Sequence, residues 1–183
     1  MLSDIEKEIK KKANRLRQDL SDLGKKLDEG DDSKLLLWVI PNKLAVAHRP
    51  LRHHPEFGGS GLAIPPEARS ALFQCIGRWK NCGIRSVISL MHHKELRHYD
   101  NIDFGAPSLI ELYSKEGFEV RHIPWDDPVH ISITEGDFHR ELMLIRKEAL
   151  KAFDELSKPV LLHCSAGIDR SLPVAAFIWK KRG

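Results

Sequence analysis

A cysteine and an arginine separated by five residues stand near the end of the chain, where Cys164 follows His163 and Arg170 precedes Ser171. A cysteine attacks as its thiolate, which backbone N–H groups, helix N-termini and nearby cations stabilise. Arginine presents a planar fork of donors that can bind two oxygens of a phosphate. Between them, Gly167 permits a backbone conformation that other residues resist. These residue types in this order indicate a nucleophilic thiol beside an anion site the size of a phosphate.

The segments on either side of residues 164–170, here called the cysteine loop, predict how it is held. Residues 159–163 form a short apolar run that predicts a buried strand, and residues 171–179 predict a helix. A loop from a strand to a helix arranges successive amides as a nest for anions, and the helix dipole adds positive charge. The candidate phosphate-binding positions are therefore Ser165, Ala166, Gly167, Ile168, Asp169 and Arg170.

This stretch resembles the His-Cys-x5-Arg-Ser/Thr signature of the cysteine-dependent protein tyrosine phosphatase superfamily. Its continuation to Trp179, and the string Trp-Val-Ile-Pro-Asn-Lys-Leu-Ala at residues 38–45, are similar to the dual-specificity branch. The resemblance covers the chain from Leu35 to its end. It implies a phosphatase for phosphate monoesters that forms a phosphocysteine intermediate and needs no metal or other cofactor.

The resemblance also implies roles for single residues. Cys164 is then the nucleophile, and Arg170 stabilises the phosphoryl oxygens together with the loop amides. Ser171 donates a hydrogen bond that helps the thiolate to leave, and His163 supports the loop from behind.

A second chemical stretch is Ile-Pro-Trp-Asp-Asp-Pro at residues 123–128. The leaving oxygen of a phosphate ester must take a proton, which a carboxylic acid on a loop can deliver. The Ile-Pro-x-x-Asp acid loop of dual-specificity phosphatases and the Trp-Pro-Asp of classical tyrosine phosphatases both resemble this stretch. Both alignments select Asp127 as the general acid and leave Asp126 as the alternative. The alternative interpretation, without a catalytic role, is a polar turn in which both carboxylates are solvated.

The substrate is a phosphorylated protein or peptide if the resemblance holds. The chain lacks the Lys-Asn-Arg-Tyr element of the classical branch, which favours a shallower site for phosphotyrosine, phosphoserine and phosphothreonine. Myotubularin-like lipid phosphatases carry Asp at the position of Asp169. They also carry Asp at the position where this chain has Ala166. A phosphoinositide, nucleotide or RNA 5′-phosphate substrate stays open, as does a non-catalytic phosphate-binding module. For Asp169 we favour a role in bracing the loop over substrate contact.

The remaining chain predicts an α/β fold with a central, largely parallel sheet and helices on both faces, as the resemblance also implies. Apolar runs predict strands at 35–40, 44–47, 87–90 and 118–123 in addition to 159–163. Helices are expected from Pro65-Pro66 onward, over 106–116 and over 134–156, where Thr134 and Asp137 resemble a capping box. Residues 92–95 are expected to form a loop. This catalytic domain spans residues 34–183.

Residues 1–33 predict a separate amphipathic helix with apolar residues at steps of three and four: Leu2, Ile5, Ile9, Ala13, Leu16, Leu20, Leu23 and Leu27. Acidic and basic residues nearly cancel along it, which argues against membrane binding. Packing on the core, which we favour, and self-association through the helix remain open. We expect the helix to cover the surface on which family members generally place a further C-terminal helix.

Composition narrows the class of protein. The formal charge is only +3, so no nucleic-acid partner is expected, and no segment is long enough to cross a membrane. Three cysteines without framework spacing favour a reducing, cytoplasmic location. A basic cluster, His48, Arg49, Arg52, His53 and His54, matches no standard metal-ligand spacing. It is expected to form a basic rim for substrate or a solvated loop.

Overall fold

The computed structural model describes residues 3–183, in which a five-stranded sheet carries the fold. Its strands are β1 (Leu37–Ile40), β2 (Leu44–Ala47), β3 (Ser86–Ser89), β4 (Glu119–His122) and β5 (Val160–His163). They lie in the order β1-β2-β5-β3-β4, and only β1 with β2 is antiparallel. The prediction of a largely parallel sheet is confirmed. Its central strand β5 leads directly into the cysteine loop.

The α-helices within residues 3–183 are α1 (Asp4–Asp28), α2 (Arg69–Asn81), α3 (His93–Leu96), α4 (Leu109–Lys115), α5 (Glu135–Glu155) and α6 (Ser171–Arg182). Three differ from the sequence prediction. The segment at Pro66–Ala68 is a 3₁₀ turn that precedes α2. The helix expected over 106–116 begins only at Leu109, where the Ser108 side chain accepts from the N–H of Ile110. Residues 93–95, within the stretch predicted as a loop, instead begin α3, and His92 caps this helix.

Apolar clusters cover both faces of the sheet because successive strand residues point to opposite sides. On one face Leu162 of β5 packs among residues of α1, α5 and α6. On the other face Leu161 packs among residues of α2 and α4. The structure therefore confirms helices on both faces. No helix in residues 3–183 combines the length and the apolarity that crossing a bilayer would require.

The N-terminal helix α1 packs on the core and lies mainly against α6. Ile9, Leu16, Leu20 and Leu23 are buried, and Ile9 lies with Ala176 and Phe177 of α6. Packing, the favoured alternative, is thus what the structure shows for this stripe. The stripe is shorter than predicted, since Ile5 is 50% exposed. Leu2 lies outside the described residues.

Candidate active site

The cysteine loop joins β5 to α6, with Cys164 and Arg170 each only 1% exposed. Gly167 adopts a φ of +78°. A Cβ at this position would lie 2.7 Å from the Ala47 carbonyl oxygen and 2.9 Å from Leu20 Cδ2. Only glycine combines this backbone conformation with so close an approach. The turn therefore depends on neighbours from β2 and α1.

Glu95 at the end of the first turn of α3 holds the guanidinium of Arg170 through two bonds. Arg170 Nη2 donates to Glu95 Oε1 at 2.5 Å, and Nη1 donates to Oε2 at 2.7 Å. Glu95 Oε2 also accepts from the N–H of His92 at 2.8 Å. Burial would raise the pKa of Glu95, but these bonds outweigh it and the pKa is lowered. Glu95 was not predicted as a site residue, because it lies in the stretch expected to be a loop and its partner Arg170 is distant in the chain.

Arg170 also binds the segment that carries the candidate acids. Its Nη1 donates to the Trp125 carbonyl oxygen at 2.7 Å, and its Nη2 lies 3.7 Å from Asp127 Oδ2. Burial disfavours the charge of Arg170. The bonds to Glu95, with the charges of Cys164 and Asp127, outweigh burial and raise the pKa of Arg170. Asp127 and the cysteine loop thus meet at one guanidinium.

The two candidate acids have different surroundings. Asp127 Oδ1 accepts from the N–H of Val129 at 3.0 Å, while Oδ2 faces Arg170. Asp126 points elsewhere: it lies 3.4 Å from Lys94 Nζ and accepts from the N–H of Asp127 at 3.0 Å. Burial would raise the pKa of Asp126, but that N–H and Lys94 more than offset it, so the pKa is lowered. The Asp126 carboxylate is therefore paired with Lys94, whereas that of Asp127 faces Arg170 of the cysteine loop.

His163 and Ser171 flank the loop and are both fully buried. His163 Nδ1 lies 2.9 Å from the Cys164 carbonyl oxygen, and Nε2 lies 3.1 Å from the Tyr113 hydroxyl. A neutral imidazole satisfies both contacts, donating at Nδ1 and accepting at Nε2. Burial lowers the pKa of His163 to about 4, which fits the neutral form. The imidazole of His163 therefore links the Cys164 carbonyl to the Tyr113 hydroxyl.

Two donors of the site have no acceptor within residues 3–183. They are the buried Nε of Arg170 and the buried hydroxyl of Ser171. Buried polar groups are normally hydrogen-bonded, and an exception calls for a physical reason. An anion bound in the loop could accept from Arg170 Nε, and a thiolate could accept from the Ser171 hydroxyl.

Helix α1 contacts the far side of the cysteine loop. Arg17 donates to Asp169 Oδ1 through Nη1 and Nη2, each at 3.2 Å. The Asp169 carboxylate therefore connects the cysteine loop to α1. His48 lies between the two, with Nδ1 against the Ala166 carbonyl oxygen and Nε2 3.0 Å from the Leu20 carbonyl oxygen.

The prediction of a basic rim or solvated loop is wrong for His48 and Arg49, since both are buried. Arg49 Nε donates to the Ser165 hydroxyl at 3.2 Å, and the Arg49 N–H donates to the Ser165 carbonyl at 2.9 Å. These residues fix the cysteine loop from the side of β2. A polar stretch gives no signal that it will be buried between two other segments.

Comparison with known proteins finds likeness only at the level of structure. No family model matches the chain. No curated protein matches it either. A kinase-associated phosphatase with its catalytic-site cysteine replaced by serine matches 74% of this chain and 64% of its own, at 20% identity and a TM-score of 0.46. A DUF442 putative phosphatase from Shewanella putrefaciens CN-32 matches 73% of this chain and 63% of its own, at 21% identity and a TM-score of 0.38.

A third solved structure, Tk-PTP in the active form, matches 80% of this chain and 83% of its own, at 16% identity and a TM-score of 0.40. The chain spans less than two thirds of the first two proteins. Likeness at this level does not establish an activity or a substrate, which depend on the site itself.

Proposed function

We propose that the protein is a metal-independent phosphatase that hydrolyses phosphate monoesters through a phosphocysteine intermediate. The observation that carries the proposal is the meeting of two carboxylates at the guanidinium of the cysteine loop. Arg170, which shares that loop with Cys164, is held in a two-pronged bond by Glu95 and faces Asp127 at 3.7 Å. A non-catalytic phosphate-binding module would have no use for a carboxylate at this place.

The first step transfers the phosphoryl group. The Cys164 thiolate attacks phosphorus in line with the leaving oxygen, forming the S–P bond as the P–O bond breaks. The loop amides of residues 165–170 and the Arg170 guanidinium stabilise the equatorial oxygens. The free Nε donor of Arg170 is available to one of these oxygens, since Glu95 and Trp125 occupy the other nitrogens. Asp127 protonates the leaving oxygen.

The second step returns the thiolate. Asp127, now a carboxylate, takes a proton from water as the water oxygen attacks the phosphocysteine. The S–P bond breaks, inorganic phosphate leaves, and the Ser171 hydroxyl donates to the departing sulfur. His163 keeps the Cys164 carbonyl in place but exchanges no proton. Because a catalytic thiol needs a reducing environment, we also propose a cytoplasmic location for the protein.

The proposed substrate is a protein or peptide that carries phosphotyrosine, phosphoserine or phosphothreonine. A phosphoinositide, nucleotide or RNA 5′-phosphate is the alternative class. The pairing of Asp169 with Arg17 favours the first class, because Asp169 was the residue that suggested lipid phosphatases and its carboxylate is engaged with α1. A panel of phosphopeptides, phosphoinositides and nucleotides compared by kcat/KM separates the two classes.

The experiment on mechanism compares Cys164→Ser, Asp127→Asn and Asp126→Asn with the wild type on aryl phosphates in the presence of a chelator. Cys164→Ser should have no activity above background. Asp127→Asn should lower kcat about 10²- to 10⁴-fold on an ester with a poor leaving group, and less on one with a good leaving group. The matched variant Asp126→Asn should stay within a few-fold of the wild type.

Two results would overturn this assignment. Full activity of Cys164→Ser would exclude the phosphocysteine route. A larger loss for Asp126→Asn than for Asp127→Asn, growing as the leaving group worsens, would make Asp126 the acid.

A further inference from the structure

A cavity of about 250 Å³ lies between the C-terminal end of α1, the segment 48–55 and α2. Cys164, Asp127 and Arg170 are not among the residues that line it. The cavity is therefore separate from the candidate active site. Its volume lies just below the range of about 300–1,000 Å³ that is usual for small-molecule sites.

The lining is strongly cationic. The lining includes the guanidinium groups of Arg49, Arg52 and Arg78 and one carboxylate, that of Asp32. Asp32 Oδ2 already accepts from Arg78 Nη1 at 2.7 Å. The nearby Asp28 pairs with His53 at 3.0 Å. With the histidines neutral, the lining carries a formal excess of two positive charges.

Arg52 differs from the other two arginines of the lining, because its side chain is not paired with another described residue. Arg49 donates to Ser165, Tyr99 and the Gly59 carbonyl. The Arg52 side chain is half-buried and makes no hydrogen bond or ion pair with any residue of 3–183. Burial and the neighbouring charge of Arg49 lower the pKa of Arg52, and Asp28 only partly opposes them. A partly desolvated cation beside another cation is stabilised by an anion.

Part of the lining is apolar. It includes Leu27, Leu35 and Leu51, together with the almost fully buried Trp79. The cavity thus joins a half-buried cation to an apolar surface, which is the combination that fixes the orientation of a small organic ligand.

We propose that this cavity binds a small organic phosphate or phosphonate, whose dianion pairs with Arg52 while a compact apolar body packs against Leu27 and Leu51. Arginine suits the tetrahedral dianion because its fork binds two oxygens at once. The positive charge of the lining, which the nearby Asp28 only partly offsets, favours a ligand that carries an anionic group. The size of the cavity limits the apolar body to about one ring.

The cavity also borders the cysteine loop. Arg49 in its wall donates to the Ser165 hydroxyl, and His48 in its wall contacts the Ala166 carbonyl. Trp79 lies with its ring centroid 5.9 Å from that of His163. A ligand there should therefore change turnover at the active site without competing for it, and this part rests on the proposed function.

Two indole N–H groups in one NMR spectrum can report the two sites separately. Trp79 lines the cavity, and the carbonyl of Trp125 accepts from Arg170 at the candidate active site. Phenylphosphonate titrated into the full chain should shift the Trp79 indole signal in a saturable way. Inorganic phosphate should bind there more weakly, and benzyl alcohol should leave the signal unchanged.

Arg52→Gln should weaken the phenylphosphonate response of Trp79 by about 10- to 100-fold and leave that of Trp125 unchanged. Arg85→Gln is the matched control, because Arg85 is exposed, does not line the cavity and carries the same charge. A Trp79 response that is absent in the wild type, or equal in Arg52→Gln, would refute the site. An equal response to inorganic phosphate would refute the apolar part of the ligand.

Steady-state kinetics test the connection to the cysteine loop. Phenylphosphonate should inhibit the wild type in a mixed manner, because it binds both sites, and Arg52→Gln in a purely competitive manner. Purely competitive inhibition of the wild type would refute the connection. Failure of the proposed function is distinguishable, since it would remove turnover but leave the Trp79 titration unaffected.

Discussion

Replacing Leu20 by alanine tests whether α1 belongs to the fold that holds the cysteine loop. Leu20 is 0% exposed and lies in the apolar cluster that includes the sheet and α6. Its Cδ2 approaches Gly167, and its carbonyl oxygen lies 3.0 Å from His48 Nε2. Truncation leaves a cavity at this junction. A buried Leu→Ala change costs about 3 kcal/mol or more.

The expected shift follows from the size of the protein. For a domain of about 150–250 residues, 1 kcal/mol lowers Tm by about 2–4 °C, so Leu20→Ala should lower it by about 6–12 °C. Ile5→Ala is the matched control on the same helix, since Ile5 is 50% exposed. Its effect should stay within about 0.5 kcal/mol. Calorimetry and urea unfolding measure both variants.

The assay also distinguishes packing within the chain from self-association. If α1 packs on its own chain, Tm of the wild type should not depend on protein concentration. Well below Tm, Leu20→Ala should also lower kcat on an aryl phosphate, because the loop loses support beside Gly167. Equal unfolding of Leu20→Ala and Ile5→Ala would refute the reasoning, and so would a Tm that rises with concentration.

Two further predictions concern the cysteine loop. Gly167→Ala should destabilise the protein by at least about 1 kcal/mol, because φ is positive and a Cβ would lie 2.7 Å from the Ala47 carbonyl oxygen. Adding Leu20→Ala should not rescue it, since the backbone contact remains, and rescue in urea unfolding would contradict the geometry. The pKa of His163 is lowered from the ordinary 6.5 to about 4 in the folded protein. Between these two pH values the unfolded chain binds a proton at this residue and the folded chain does not. Stability should therefore fall by about 3 kcal/mol as pH drops from 6.5 to 4, and His163→Asn should lose less over that range; an identical pH dependence would exclude this role.

The sheet and the cysteine loop could be predicted from the sequence because their signals are local. Apolar runs mark the strands, and the spacing from Cys164 to Arg170 marks the loop. The cap of α5 was also readable, since the Thr134 hydroxyl accepts from the N–H of Asp137 at 3.1 Å. Each of these features depends on residues within a few positions of one another, so no tertiary contact had to be known.

The supports of the loop could not be predicted, because their partners are distant in the chain. Glu95 lies 75 positions before Arg170, and Arg49 lies 116 positions before Ser165. Charged side chains in a polar stretch are usually exposed. Only a partner from elsewhere in the fold makes burial favourable, as for Arg49 with Ser165 and Tyr99. Ile5 is a similar case. It belongs to the apolar stripe of α1, but burial also needs a facing surface from elsewhere in the fold, and Ile5 is 50% exposed.

Helix α1 and the cysteine loop form one unit in spite of their distance in sequence. Asp169 accepts from Arg17, and Gly167 lies against Leu20. The His48 imidazole lies between the carbonyl oxygens of Ala166 and Leu20. A change of composition near residue 33 separates helix from domain in the sequence, but the apolar cluster beneath the loop includes residues of both. Since a shift of the loop amides would misplace the phosphoryl oxygens, α1 is a positioning element for the proposed reaction. Its buried face should therefore affect kcat as well as stability.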